Sequence, residues 1–437
     1  MKVLVVGSGG RENAIVDALA RSAYKPKIFA AMGNLNPGIR RKAADHLLTK
    51  ETDVPAIAQY AEEKGVDFAI VGPEAPLAAG LVDELYERGI PAASPLKDAA
   101  RLEFDKGWTR TFMARNRIKG VPRFQVYDNI SDAYRYLEEF PNSVIKPAGL
   151  TGGKGVKVMG EHLKTLGEGK AYLEEVLKTG KVVIEDRLEG EEVTIQAFVD
   201  GKSVSPMPTV QDHKRAFEND SGPNTGGMGS YTDHTELLPF MFMDDYEEGV
   251  EIMKATVDAL KKEMGIAYKG TLYGQFMITS DGMKVIEYNA RFGDPEAMNV
   301  LTLLKTDFVD ICQAMIDGSL DKMHIEFDRS ATVCKYVVPK GYPDHPQRDS
   351  PLTITEKPEY TVYYASVNEK DGKVYTTSSR SLAVVGIADT IAEAELLAEM
   401  GLANVQGEFH CRHDIGKETL ITKRIEHMDA IRGRRQL

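Results

Sequence analysis

The feature that most constrains this chain is its opening. Lys2 to Val6 is a short β run, GSGGRE follows, and Asn13 to Arg21 carries Ile15, Val16, Ala18 and Leu19 at helical spacing. A strand, a glycine turn and a helix in that order begin a doubly wound parallel sheet, whose helix N-terminus can receive a phosphate. A dinucleotide fingerprint needs G-x-G-x-x-G, but the glycines here stand at 7, 9 and 10 and the sixth position is Glu12. The missing third glycine argues against a nicotinamide or flavin dinucleotide and favours a single sugar phosphate. Two more strand-plus-loop units follow: Lys27 to Ala31 runs into MGNLNPG, and Phe68 to Val71 into GPEAPL. Amphipathic helices Val54 to Lys64 and Leu81 to Arg88 lie between and after them. Loops at the C-terminal ends of parallel strands form the ligand pockets of such sheets. Glu12, Asn34, Asn36 and Glu74 are therefore expected to line one, with ordinary strand-to-helix turns as the plainer alternative.

At 437 residues the chain is long enough for two to four domains. Its net charge of −12 argues against a general nucleic-acid binder, although local Lys and Arg can still hold an anionic substrate. No apolar run approaches the roughly 18 residues of a membrane span. The N-terminal apolar run enters glycines at once, so it reads as a strand and not as a signal peptide. Cys312, Cys334 and Cys411 are odd in number and show no CxxC spacing, which suits a reducing compartment and neither a disulfide framework nor a zinc site. A cytoplasmic location is the expectation.

Further along, Ala99 to Arg117 is helical and rich in Lys and Arg, and a β segment ends at Tyr127. Val144 to Ala148 (VIKPA) is an apolar strand holding Lys146, and a lysine in such a place needs a partner. It leads into GLTGGKGVKVM. This is not a Walker loop, because Gly155 and not Ser or Thr follows Lys154. A plain hairpin is one reading; the sharper one is a flap laying N–H groups and Lys154 over a phosphate chain. VVIEDR (Val182 to Arg187) turns through LEGEE into a second strand, an acidic corner suited to ribose hydroxyls or to solvent. Gln211 to Ser230, QDHKRAFENDSGPNTGGMGS, has no hydrophobic period and is too chemically dense for a mere connection. Asp244 to Met264 is an amphipathic helix whose stripe is core.

The strand Gly270 to Thr279 turns at SDG into VIEYNARFGDPE, Val285 to Glu296. Side chains two apart on a strand share a face, so Glu287 and Asn289 point the same way, about 6–7 Å apart along it, with Arg291 next. A carboxylate and an amide oxygen so placed can share a Mg²⁺, with Arg291 where phosphate charge gathers. Gln275 should face Glu287. Read alone, the stretch is equally an edge strand with a polar face. Met298 to Asp317 reads as one more helix. Short strands (Ala331 to Val338, Thr361 to Val367, Leu382 to Ile387), a helix (Thr390 to Ala403), RHDIG and a basic tail, IRGRRQL, read as a solvated end, complete the chain.

In that order the motifs GSGGRE, GPEAPL, KPAGLTGGKGV, DHKRAFENDSGPNTGGMG, NARFGDPE and RHDIG resemble, over essentially the full length, the glycinamide ribonucleotide synthetase (phosphoribosylamine–glycine ligase) family of ATP-grasp enzymes. NTGGMG together with RFGDPE is the specific pair. The resemblance implies an α/β and α+β multidomain chain. An N-terminal doubly wound domain of the pre-ATP-grasp type would span 1–101, and a two-lobed ATP-grasp unit 102–324, its small lobe at about 122–193. A small C-terminal α+β domain would span 325–437. It implies ATP-dependent joining of glycine to 5-phosphoribosylamine through glycyl phosphate, with ATP and Mg²⁺ or Mn²⁺, in purine biosynthesis. Small molecules are the expected partners, with no nucleic acid and no membrane, and a monomer the expected state.

Carried over by motif, Lys106, Lys146, Gly153, Lys154 and Gly155 would meet the ATP phosphates. Glu185 to Leu188 would bind adenine, largely through backbone, and Glu192 the ribose. Glu287, Asn289 and, opposite them, Gln275 would serve the metal, and Arg291 the transferring phosphoryl or the glycine carboxylate. Gly9, Gly10, Arg11, Glu12, Asn36 and Glu74 would line the phosphoribosylamine site. Asp212, Lys214, Arg215, Asn224, Thr225 and Gly226, with Asp294 and Glu296, would close round the amine and glycine, and Arg291, Lys214, Arg215 and Asp212 would be catalytic. Three positions depart from the family: Asn13 stands where His is usual, Met298 where Gln or Glu is common, and Gln275 where many ATP-grasp enzymes carry an acidic metal ligand. Another ATP-grasp carboxylate–amine ligase and a non-catalytic nucleotide-binding protein of the same fold are the alternatives.

Overall fold

A computed structural model describes residues 1–149 and 155–434, so Gly153 and Lys154 lie outside the described residues. The first sheet is wholly parallel, in the order Asp45–Leu48, Lys27–Met32, Lys2–Val6, Phe68–Val71. Alternate residues of Lys2–Val6 enter different cores: Val3 and Val5 pack with Ile15 and Leu19, while Leu4 and Val6 pack with Ile57 and Leu81. That two-sided burial is why the strand reads as an unbroken apolar run. The helix after it, Gly10–Ala20, starts three residues before the expected Asn13. The Glu12 carboxylate accepts the Gly9 N–H at 2.6 Å and so begins the helix inside the glycine turn.

Two expected helices are each split at an aspartate. Ala99 to Arg117 is Lys97–Phe104 followed by Lys106–Arg115, with the Asp105 carboxylate accepting the Trp108 N–H at 2.9 Å. Met298 to Asp317 is Glu296–Leu303 and then Phe308–Asp317, with Asp307 accepting the Val309 N–H at 2.9 Å. In both places apolar periodicity continues across a residue that prefers to cap.

The middle of the chain makes two antiparallel sheets. The smaller runs Phe124–Tyr127, Val182–Asp186, Ser143–Pro147, Lys157–Val158, and encloses its own core of Leu137, Ile145, Leu173 and Ile184 under two helices. The larger runs Val204–Pro206, Glu191–Asp200, Lys269–Thr279, Gly282–Asn289, with helix Met243–Met264 packed on it. The SDG hairpin forms as expected, and Gln275 pairs directly with Glu287. The register then slips, Phe276 facing Val285, so Ile286 is the extra residue of a β-bulge.

Gln211 to Ser230 is not an open loop. Gln211–Asp212 pairs with Gly229–Thr232, and Arg215–Phe217 forms a hairpin with Ser221–Asn224. Gly229–Thr232 joins a C-terminal sheet by pairing with Ala331–Pro339, which also pairs with Leu382–Ala388 and Phe409–His410. These partners are about a hundred residues apart in the chain, so no local pattern discloses them. The strand expected from Thr361 to Val367 stops at Tyr364, and a new one starts at Val367. The basic tail is not simply a solvated end: helix Glu418–Arg434 buries Ile431, and Arg432 pairs with Asp245 at 2.7 Å. No helix among the described residues is long and apolar enough to cross a membrane.

Candidate active site

Both central sheets, the N-terminal sheet and the C-terminal sheet contribute walls to one cavity of about 660 Å³. Its floor is the end of strand Gly282–Asn289. Glu287 and Asn289 project from it on one face, and Lys106, Lys146, Lys214 and Arg291 ring them. Burial would raise the Glu287 carboxyl, but Lys214 and the three other cations hold it below the ordinary carboxylate range. Among the described residues its carboxylate takes no hydrogen bond. An ionised carboxylate beside an amide oxygen, surrounded by cations that suit phosphates, is a donor set that fits a hard divalent ion shared with a substrate phosphate. Among the described residues no cluster of three or more His, Cys, Asp or Glu could hold a metal by itself.

Gln275 lies opposite Glu287 as expected, but its oxygen is engaged. Lys214 donates to it at 2.6 Å and Tyr273 at 3.3 Å, while its amide donates to Glu192. It therefore steers Lys214, and a ligand role toward a metal would require it to release that lysine. Glu192, expected at a ribose, is drawn into the same group, 3.6 Å from the Lys214 ammonium. Burial would lower the Lys214 ammonium, but Glu192, Glu287, Asp212 and Glu296 raise it, so it stays charged.

The partner that Lys146 requires is Glu185, which also accepts from Arg110 Nε at 2.7 Å. The bulge completes this arrangement. The Ile286 carbonyl, freed from the ladder, accepts from Arg110 at 2.8 Å and from Lys146 at 3.3 Å. Burial lowers the Lys146 ammonium, and Glu185 opposes the fall. Glu185 thus has a buried side chain committed to two cations. In the adjacent segment the Asp186 and Arg187 amides donate to the Arg123 and Asn142 carbonyls. Leu188 is half-buried, and Gly155 accepts from the Tyr172 hydroxyl at 2.6 Å.

At the other side Asp212 is half-buried, with Oδ1 enclosed and without a hydrogen bond among the described residues, and desolvation together with Glu296 pushes its carboxyl well up. Glu296 accepts from the Tyr273 hydroxyl at 2.7 Å and from Thr194 at 3.2 Å. Thr225 donates to the Lys214 carbonyl through both N–H, at 2.7 Å, and hydroxyl, at 2.8 Å, so Asn224 to Gly226 lie against the cavity. Arg215 pairs with Glu161 of the smaller sheet's lobe, across the cavity from its own hairpin. Asp294 accepts from Tyr336 at 2.5 Å and pairs with Arg380 at 3.1 Å. Burial would raise its carboxyl, but Arg380 and Arg11 hold it low.

The N-terminal loops divide. Arg11 and Glu74 reach the cavity wall, and Glu74 lies 3.5 Å from Arg291. The side chains of Glu12 and Asn36 do not. Glu12 fills the space left by Gly7 and Gly72, where a Cβ on either would collide with it, and pairs with Arg11 at 2.5 Å. Asn36 donates to the Ser8, Tyr364 and Ala365 carbonyls at 2.9, 2.8 and 3.1 Å. Asn13, the departure from the family, accepts the Tyr364 N–H at 2.8 Å. Both amides join the first sheet to the C-terminal one. The helix N-terminus expected to receive a phosphate already binds protein carboxylates, since Glu12 takes the Gly9 N–H and Asp294 the Arg11 N–H at 3.3 Å. Gly10 lies against Tyr336 and Met298, so Met298 packs against the glycine turn.

Several wall residues escaped sequence reasoning: Glu103, Tyr273, Glu161, His162 and Arg380. Glu103 had no distinguishing signal, because its helix also carries Asp98 and Asp105 follows directly. Arg380 had none; it donates to the Gly226, Gly227 and Asp294 carbonyls at 2.7, 3.0 and 2.8 Å, tying NTGG to GDPE.

Models of the phosphoribosylglycinamide synthetase N domain, ATP-grasp (A) domain and C domain match residues 1–103, 104–297 and 332–418. The chain is 74% identical over 433 residues to a phosphoribosylamine–glycine ligase of Methanocella arvoryzae, covering 99% of this chain and 100% of that one. It is similar to the crystal structure of phosphoribosylamine–glycine ligase from Thermotoga maritima, with TM-score 0.81, 31% identity, and coverage of 95% of this chain and 100% of that one. The biotin carboxylase domain of the Hydrogenobacter thermophilus 2-oxoglutarate carboxylase, solved with MgADP, ADP and bicarbonate, shares the fold at TM-score 0.71 and 15% identity, covering 98% of this chain and 93% of that one.

Proposed function

The chain belongs to the phosphoribosylglycinamide synthetase family, and on that premise we infer that it joins glycine to 5-phosphoribosylamine at the expense of ATP, giving glycinamide ribonucleotide, ADP and phosphate in purine biosynthesis. The observation that carries this reading is the union, in one cavity, of the Glu287–Asn289 pair with its four cations, the N-terminal Arg11 and Glu74, and the acidic pair Asp212 and Glu296. A non-catalytic nucleotide binder has no use for so complete a set. Another acid–amine ligase would share the cations but not a 74% identical relative of this name.

A glycine carboxylate oxygen attacks the γ-phosphorus of ATP and ADP departs, giving glycyl phosphate. The amine nitrogen of phosphoribosylamine then attacks the glycyl carbonyl carbon, phosphate leaves with that oxygen, and the nitrogen gives up a proton. For the first step this chain supplies positioning and charge neutralisation. Lys106 and Lys146 hold the phosphate chain, Arg291 and Lys214 face the moving phosphoryl, and Arg11 and Glu74 orient the ribosylamine. Asp212, whose proton affinity is raised by burial and by Glu296, suits acceptance of the amine proton. Glu287 and Asn289 would hold Mg²⁺ or Mn²⁺, which would supply charge neutralisation to the transferring phosphoryl. A monomer is the proposed working unit, and a cytoplasmic setting suits its substrates.

The test is phosphate release from ATP. It should require glycine and phosphoribosylamine together and should not occur with other acid–amine pairs. Release that needs only one of the two substrates, or that proceeds as fast with another pair, would show the assignment to be wrong.

A further inference from the structure

Glu103 sits in the last turn of helix Lys97–Phe104, is 6% exposed, and contributes to the cavity wall beside Arg291. Its two oxygens do different things. One accepts the backbone N–H of Ala290 at 2.7 Å, and the other pairs with Arg291 Nη2 at 2.8 Å. Ala290 is the residue between Asn289 and Arg291, so a single buried carboxylate pins both the backbone of that turn and the guanidinium that leaves it.

The remaining contacts of Arg291 show how much depends on that grip. Its Nη2 also donates to Asn289 Oδ1 at 3.1 Å, and its Nη1 donates to the Phe292 carbonyl at 3.1 Å. Its Nε is buried and has no hydrogen-bond partner among the described residues, with Glu74 3.5 Å away. Glu103 is thus the closest carboxylate to the guanidinium. Nη2 lies between the Glu103 carboxylate, its ion-pair partner, and Asn289 Oδ1, to which it donates, and this places the guanidinium relative to the amide expected at the metal. The Ala290 contact reaches that strand end by a second route. Burial pushes the Glu103 carboxyl up to about 7 against the pull of Arg291, as is usual for an acid retained at a desolvated position.

We propose that Glu103 is a positioning residue for phosphoryl transfer, holding Arg291 and the Asn289–Arg291 turn in the geometry the reaction needs. It touches neither phosphate nor metal itself; it acts through Arg291. The inference rests on the ligase reading above and adds a residue that ties the helix entering the nucleotide-binding unit to the reacting end of strand Gly282–Asn289.

The experiment is a double-mutant cycle on the full chain, using Glu103→Gln, Arg291→Lys and the combination, assayed by phosphate release with ATP, glycine and phosphoribosylamine. Glutamine can still accept the Ala290 N–H but cannot pair as an anion with Arg291. Loss of a supporting contact of this kind commonly costs 10–100-fold. Glu103→Gln is therefore expected to lower kcat by about 10–100-fold while KM for ATP stays within about threefold of wild type. The combined variant should lose no more than about threefold beyond Arg291→Lys alone, because the two losses are one loss. A kcat for Glu103→Gln within about threefold of wild type, or losses that multiply in the combined variant, would overturn the proposal. Should Glu103→Gln fail to fold, Glu103→Asp takes its place in the same cycle under the same criteria. Absence of glycine- and phosphoribosylamine-dependent turnover in the wild type would instead defeat the ligase reading.

Discussion

Two polar regions of this chain, one strand end and the N-terminal loops, are both expected to bind ligands and end in opposite situations. VIEYNARFGDPE sends Glu287, Asn289 and Arg291 into the cavity, where Glu287 is left without a hydrogen bond among the described residues and is held ionised by surrounding cations. GSGGRE and NLNPG instead turn most of their polar side chains into the protein, where Asn36 saturates three carbonyls and Glu12 caps its own helix. The difference lies in what the neighbouring backbone offers. The glycine turns leave carbonyls and N–H groups that buried side chains must satisfy. The strand end at 287–291 has its ladder completed by Gln275 and its bulge carbonyl taken by Arg110 and Lys146, so the Glu287 carboxylate remains available, while Asn289 and Arg291 bond to each other at the cavity wall. A polar residue in a ligand-binding loop is free to bind only when the fold has not already consumed it.

The largest effect that separates the two stretches is expected from Glu287→Gln. Removing the charge should lower kcat on the order of 10²–10³-fold while leaving ADP affinity nearly unchanged, as measured by turnover and by calorimetry. Equal losses in both would make Glu287 structural and erase the contrast. Asn36→Ala should do the reverse. It strips three carbonyls of a donor and removes the oxygen that caps helix Pro37–Arg40, at a cost of roughly 2–4 kcal/mol in urea unfolding, with kcat within about threefold. A collapse of kcat at unchanged stability would return Asn36 to the ligand site.

Two buried carboxylates sharpen the comparison through pH. Burial alone would raise Glu185, but Arg110 and Lys146 prevail and hold it at about 2. Its folded value is below its unfolded one, so the stability it contributes is present above about pH 4.5 and is lost as pH falls towards 2. Glu103 runs the other way. Burial lifts it to about 7, so the folded state keeps a proton that the unfolded chain has released, and stability declines as pH rises from about 4.5 to 7. Urea midpoints across pH 2–8 should show Glu185→Gln losing the acid limb of the wild-type profile and Glu103→Gln flattening the neutral one. Profiles unchanged by either substitution would contradict these environments. The smallest effect is expected from Arg40→Ala, which breaks an ion pair with Glu369 across the same joint that Asn36 serves. It should move the unfolding midpoint by much less than Asn36→Ala, because water competes for an exposed pair. An equal shift would mean that surface charge and not the buried amides holds the joint.

Local pattern disclosed what local physics decides. The apolar strands, the SDG hairpin, the need of Lys146 for a partner and the facing of Gln275 and Glu287 all follow from residues a few positions apart or from one hairpin register. The remainder depends on segments that meet only after folding. Asn13 bonds to Tyr364, 351 residues away, and Arg380 reaches Gly226 across 154. No spacing rule anticipates such pairs, and they decide whether a polar side chain is spent on structure or kept for a ligand. The long Gln211 to Ser230 stretch was legible as functional but not as two strand pairings, because one partner of Gly229–Thr232 lies beyond residue 330. Breaks at Asp105 and Asp307 were hidden for a different reason, since apolar periodicity runs through both.

The central claim is that the cavity around Glu287 and Arg291 transfers phosphoryl from ATP to the glycine carboxylate. Glycine labelled with ¹⁸O in its carboxylate tests this most directly when the released phosphate is analysed by mass spectrometry. One labelled oxygen should appear in each phosphate formed with the wild-type protein, and Glu287→Gln should slow that transfer in step with turnover. Phosphate free of label, with both labelled oxygens lost elsewhere or retained, would contradict glycyl phosphate formation in this cavity.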